Sequence, residues 1–80
     1  PDKNGNALVF HPRAGQGRSL LLDSSGCLVR SEERLIALIG MKDTVVVEAG
    51  NAFLVCPRDR SQDVRRVLEE LKIRGWKEYL

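Results

Sequence analysis

The chain alternates short apolar runs with polar breaks. ALVF (7–10), LLL (20–22), CLV (27–29), LIALI (35–39), VVV (45–47) and AFLVC (52–56) follow one another at a fairly even pitch. The breaks carry turn chemistry: Ser24-Ser25-Gly26, Ser31-Glu32-Glu33, Gly40-Met41-Lys42-Asp43 and Gly50-Asn51. Such spacing predicts strands, arranged as an antiparallel meander or as coiled β layers, whereas helices need longer runs with a 3.6-residue beat. The Leu and Ala content of LIALI would also suit a helical fragment, but Gly40 and the flanking strand signals favour a strand. Alternation within the runs is partial, which predicts strands covered on both faces. A chain of 80 residues is too short to supply both covers itself.

Two regions depart from this rhythm. PDKNGN (1–6) and HPRAGQGR (11–18) are rich in turn-formers, so residues 1–18 read as a linker or hairpin lead-in, with ALVF a strand candidate inside it, ahead of a β layer at 19–57. Beyond it, Val64, Val67, Leu68 and Leu71 fall on one face of an amphipathic helix over 59–75. Asp59 with Gln62 fits a capping box, and Ser61 is the competing N-cap. Gly75 suits the left-handed position after the helix, with Trp76 folding back on Leu71. Arg65 with Glu69 and Arg66 with Glu70 sit four apart on its outer face. No internal repeat stands out. The chain therefore reads as one small, mainly β domain over 1–80, closed by one C-terminal helix. Leu21, Leu35, Ile36, Val46, Phe53 and Leu54 are its predicted β core, with Val64, Val67, Leu68 and Leu71 locking the helix over one face.

Composition narrows the function classes. Thirteen Lys plus Arg against 11 Asp plus Glu leave a net charge of +2, too weak by itself to imply nucleic acid or acidic lipid. No apolar run approaches the roughly 20 residues a bilayer span needs, and the N-terminus lacks a secretion signal, so a cytoplasmic location is the default. Cys27 and Cys56 lie inside apolar runs without C-x-x-C spacing; two reduced, buried thiols are the simpler reading, and a disulfide between them stays open. The chain opens at Pro1 with no initiator Met, as a processed start or a piece of a longer protein would.

Candidate chemistry is sparse. Gly15-Gln16-Gly17-Arg18-Ser19 could cradle an anion, but neither P-loop nor dinucleotide-fold spacing is met, and a hairpin loop is the better account. His11 is the sole histidine and has no orienting group fixed beside it, nor any helical ligand spacing for a metal. Asp23, Glu32, Glu33, Asp43 and Glu48 read as solvated acids at turns and strand edges, with Asp23 and Asp43 bonding turn amides. Arg58, Arg60, Arg65 and Arg66 form the densest basic cluster. Asp59, Asp63, Glu69 and Glu70 interleave with it and no aromatic side chain joins it, so a salt-bridged helix face is favoured over nucleic-acid binding. No catalytic, cofactor-binding or metal-binding residue is assigned.

The order of residues from Asp23 onward carries a resemblance. Asp23, Ser24, Cys27, Val29 and Ser31 lead to Arg34, Leu35, Ala37, Gly40 and Asp43, then to Val45–Val47, Ala52, Leu54 and Val55, and then to Gln62-Asp63-Val64. This succession resembles the C-terminal region of bacterial mannose-1-phosphate guanylyltransferases, also called GDP-mannose pyrophosphorylases, including the linker domain of forms that continue into a phosphomannose isomerase. DKNGN at 2–6 looks like the segment that enters this region from the catalytic domain. Glu48-Ala49 stands where the family more often has Asp-Thr, Asn51 where it often has Asp, and HPRAGQGRS looks longer than usual.

The resemblance implies a small left-handed β-helix-like domain, packed on an N-terminal catalytic domain absent here and engaged in subunit contacts, so that a homodimer is expected. It implies a parent reaction joining GTP and mannose 1-phosphate into GDP-mannose and pyrophosphate with Mg²⁺, and no catalysis by these 80 residues alone. If Leu80 is the natural end, the form without an isomerase is favoured. The residues alone would favour a free-standing structural or oligomerisation module, with a weak phosphate- or nucleic-acid-binding module through Arg18 and Arg58 to Arg66 as the remaining alternative. The resemblance puts a non-catalytic supporting domain first.

Overall fold

A computed structural model describes residues 4–10 and 17–79. Six strands, β1 (Ala7–Phe10), β2 (Arg18–Leu22), β3 (Leu28–Ser31), β4 (Leu35–Ile39), β5 (Thr44–Ala49) and β6 (Ala52–Pro57), are followed by a 3₁₀ segment (Arg58–Asp63), helix α1 (Val64–Arg74) and a final 3₁₀ turn (Lys77–Tyr79). Every predicted apolar run contributes to a strand. Their arrangement is a coil: β1, β3 and β5 are parallel neighbours in one sheet, and β2 and β4 are parallel neighbours in a second. Parallel strands need a crossover between them, and here each crossover carries a strand of the other sheet. β6 reverses direction and pairs antiparallel with β5 at the end of the first sheet. Because β1 pairs with β3, the span 1–18 is not simply a lead-in but supplies a strand of the coil.

The coil has a repeat that residue identities conceal. Arg18 pairs with Leu35 and Leu28 with Val45, an offset of 17 residues in both sheets. The corners keep the same period in backbone conformation. Asp23 (φ 53°) stands one coil before Gly40 (φ 66°), and Gly26 (φ 67°) one coil before Asp43 (φ 48°). Glycine takes the left-handed region freely and Asp is among the few side chains that tolerate it. Asp23 and Asp43 thus serve their turns through backbone conformation. The first coil is longer, with Ala7 opposite Leu28, and the added length falls between β1 and β2.

Strand parity sets the core. Val29, Ile36 and Val46 point between the sheets and are buried with Cys27, while Leu21 and Leu38 pack against them. Leu35 and Phe53, both expected inside, are 62% and 52% exposed. Leu35 alternates with the inward Ile36 and so faces outward. Phe53 lies on β6, beyond the last strand of the second sheet. Leu54 is half-buried on the opposite side of β6.

The C-terminal segment departs from expectation at its start and in its docking. The first six residues, Arg58–Asp63, form a 3₁₀ turn with no side-chain cap, and the α-helix begins at Val64. Asp63, placed for capping, instead pairs with Arg60. The end of the helix matches the Schellman pattern: Gly75 is left-handed, its N–H reaches the Lys72 carbonyl at 3.1 Å, and the Trp76 N–H reaches the Leu71 carbonyl at 3.0 Å. No α1 residue is buried. Val64 and Leu71 are half-covered, but Leu68 is 45% exposed, so the helix is not locked over the sheet.

Candidate interaction surface

Charged side chains predicted at turns assemble into a structural clasp at the corner between β3 and β4. Glu48 shares the inward face of β5 with Thr44 and Val46, and its side chain is fully buried. Its Oε1 accepts the backbone N–H groups of Glu32 (2.8 Å), Glu33 (3.0 Å) and Arg34 (3.1 Å), and its Oε2 accepts Arg34 Nη1 at 3.1 Å. Burial pushes the carboxyl upward, but the Glu32, Arg34 and Glu33 amides and the Arg34 guanidinium outweigh it and hold its pKa below the ordinary carboxylate range. Glu32, also buried, accepts the Gly50 N–H at 3.1 Å, and Arg34 Nη1 donates to the Gly50 carbonyl at 3.4 Å. The corner and the β5–β6 turn are therefore tied in both directions. Glu32 and Glu48 are not the solvated acids predicted; β parity turns Glu48 inward, where a nest of successive amides meets it.

A second polar ladder holds the opposite corners. Buried Asn6 donates to the Ser24 carbonyl (3.0 Å) and accepts the Cys27 N–H (2.8 Å), while Ser24 Oγ accepts the Met41 N–H at 3.1 Å. Among the described residues no buried side-chain nitrogen or oxygen lacks a partner.

The other candidates do not converge. His11, Gly15 and Gln16 lie outside the described residues. Gly17 is not an anion cradle: a Cβ there would stand 2.5 Å from the Glu32 carbonyl oxygen, so this glycine permits close packing of two coils. Arg18 is exposed at the start of β2. Asp23, Glu33 and Asp43 are exposed at corners. Arg58 donates to the Gly26 carbonyl at 2.9 Å, and the Arg60 hydrogen bond holds Asp63 below its ordinary pKa. Along α1 the helical ion pair formed is Glu70 with Arg74 at 3.0 Å, not Arg65 with Glu69 or Arg66 with Glu70. Both cysteines are free thiols; Cys27 is buried, whereas Cys56 is only half-buried. Among the described residues, no three His, Cys, Asp or Glu side chains are grouped to hold a metal, and no helix is long and apolar enough to cross a membrane.

What the fold does present is apolar surface. The outward positions of β2 are Arg18, Leu20 and Leu22, and register sets them against Leu35, Ala37 and Ile39 of β4. All six are exposed, Ile39 at 70%. A parallel sheet is ordinarily covered on both faces, and a contiguous apolar face of this kind marks a contact site. Sequence reasoning anticipated uncovered faces, but it could not identify this one without the register of the coil. On the far side of the first sheet, Leu54 and Cys56 with Val64, Val67 and Leu71 line an open groove of about 700 Å³ between β6 and α1.

Comparison with known proteins gives a consistent picture. Residues 17–71 match the family described as the MannoseP isomerase/GMP-like beta-helix domain. A mannose-1-phosphate guanylyltransferase of Escherichia coli is 41% identical over 73 residues, covering 85% of this chain and 16% of that protein. The alginate biosynthesis protein AlgA of Pseudomonas aeruginosa is 38% identical over 74 residues, covering 92% of this chain and 14% of that protein. The crystal structure of a mannose-1-phosphate geranyltransferase from Thermus thermophilus superimposes with a TM-score of 0.76 at 32% identity, covering 90% of this chain and 20% of that one. The chain thus spans about one-seventh of the length of these curated relatives and matches their C-terminal region.

Proposed function

This chain belongs to the MannoseP isomerase/GMP-like beta-helix domain family, and from that premise we propose that it is the non-catalytic supporting domain of a mannose-1-phosphate guanylyltransferase. The observation that carries this reading is the bare apolar face of β2 and β4, set beside a polar interior in which every described group is already partnered. A surface built in this way serves packing, and most of the length of the relatives lies outside this chain. We assign the face of Leu20, Leu22, Leu35 and Ile39 to the catalytic domain of the same protein.

On this reading the chemistry resides in that larger domain, which joins GTP and mannose 1-phosphate into GDP-mannose and pyrophosphate. Mg²⁺ would be held there together with the nucleotide. The same reading makes the coil left-handed, the protein cytoplasmic, and the domain a participant in contacts between two subunits.

The test compares the complete encoded protein with the 80-residue chain. The complete protein should release pyrophosphate from GTP in the presence of mannose 1-phosphate, and the isolated chain should release none. Turnover by the isolated chain would overturn the supporting role. Leu35→Glu in the complete protein should lower its melting temperature more than the same change lowers that of the isolated chain, because only the complete protein supplies the cover.

A further inference from the structure

The coil is open at its first end. Leu8 pairs with Val29 and Val29 with Val46, and paired neighbours on a ladder share a face, so Leu8 points between the sheets in line with the core. Val29 and Val46 are buried there, yet Leu8 is 50% exposed. A neighbour is missing: β2 pairs with β4 on one edge, and among the described residues no strand lies along its other edge. The Arg18 N–H reaches the Arg34 carbonyl and the Leu22 carbonyl accepts the Gly40 N–H, so these residues turn toward β4. The alternate residues, Ser19 and Leu21, then direct their backbone groups at the bare edge. Both point inward from β2 and both are only half-buried.

The turn that enters β1 is nevertheless a complete corner of the coil. The 21-residue offset that sets Ala7 against Leu28 also sets Gly5 (φ 77°) against Gly26 (φ 67°). The Gly26 N–H reaches the Asn4 carbonyl at 3.1 Å, as the Asp43 N–H reaches the Ser25 carbonyl at 2.9 Å one coil later. Asn6 is anchored to Ser24 and Cys27. Three corners are thus stacked, with β2 leading into the second and β4 into the third. We propose that the segment immediately upstream of Pro1 in the complete protein leads into the first in the same way, lying along the bare edge of β2 and setting an apolar side chain over Leu8. Carried back by the same offset, the neighbours of Arg18 to Leu21 precede Pro1. The proposal deepens the reading above, on which it rests, by identifying part of the cover: the junction with the catalytic domain is a docked layer of the coil and not a free tether. The edge of β2 is continuous with the face of Leu20 and Leu22, so the covered surface wraps around the end of the coil.

Thiol labelling in a Cys56→Ser background of the complete encoded protein tests the assignment. Leu8→Cys should react with maleimide about tenfold more slowly there, or slower still, than in the 80-residue chain. A short Gly-Ser insertion just before Pro1 lets the junction swing free and should restore the rate at Leu8→Cys, while Ile39→Cys on the β2–β4 face stays protected. Equal reactivity of Leu8→Cys in the complete protein and the chain would overturn the docked junction. Protection that survives the insertion would overturn it too, by assigning the cover of Leu8 to another element. Rapid labelling of Ile39→Cys in the complete protein would instead remove the catalytic cover on which the proposal rests.

Discussion

The corner around Glu48 and the helix α1 are built from the same charged residue types with opposite outcomes. At the corner one buried carboxylate takes four donors, while along the 3₁₀ segment and the helix it leads into, Arg60 with Asp63 and Glu70 with Arg74 pair in the open. Exposed pairs of the second kind contribute little, and removing a buried acceptor strands every donor it served. Charge in this protein is architectural where β parity drives it inward and solvating where a helix leaves it outside. The β coil is consequently specified residue by residue, and the helix is held loosely.

The largest effect should come from Glu48→Ala, which leaves the Glu32, Glu33 and Arg34 amides and the Arg34 guanidinium without their acceptor. It should lower the thermal midpoint more than any other single change described here, and a melt matching the parent would break the comparison. The same group sets an acid limb. Its native pKa lies below its unfolded value, so its contribution is full above the unfolded value of about 4.3 and is lost as pH falls through the lowered native value. Stability measured by denaturant titration from pH 7 to pH 2 should fall less steeply in Glu48→Gln, whereas Asp63→Asn, on the exposed and solvent-screened pair, should flatten the fall much less.

Ile36→Ala empties a buried core position and should cost about 2 to 5 kcal/mol, measured by urea unfolding. Gly17→Ala forces a methyl group against the Glu32 backbone and should cost about 1 to 3 kcal/mol. Leu68→Ala should cost no more than about 1 kcal/mol, because a side chain 45% exposed forfeits only part of its burial term. A loss as large as that of Ile36→Ala would mean that the helix is docked far more tightly than its exposure indicates.

Much of the coil could be read from its residues, since β4 coincides with LIALI and the other apolar runs lie within or overlap their strands. The parallel pairing and the 17-residue coil could not. The repeat is one of backbone conformation and inward volume, carried at equivalent corners by Asp23 and Gly40 or by Gly26 and Asp43, and identities do not align. Glu48 escapes local sequence for a related reason. Its fate depends on facing inward from β5 toward three amides of a distant corner, and local sequence does not encode that meeting. Hydrophobicity alone places Leu35 and Phe53 in the core, because it ranks residues without saying which face they occupy. Gly75 and Trp76 were legible because a helix end is set by its own few residues.

The claim that the face of β2 and β4 is covered by a larger body is tested most directly by thiol labelling of Ile39→Cys in a Cys56→Ser background. The account predicts rapid maleimide labelling in the 80-residue chain and protection in the complete encoded protein under native conditions. Equal reactivity in the two would contradict it.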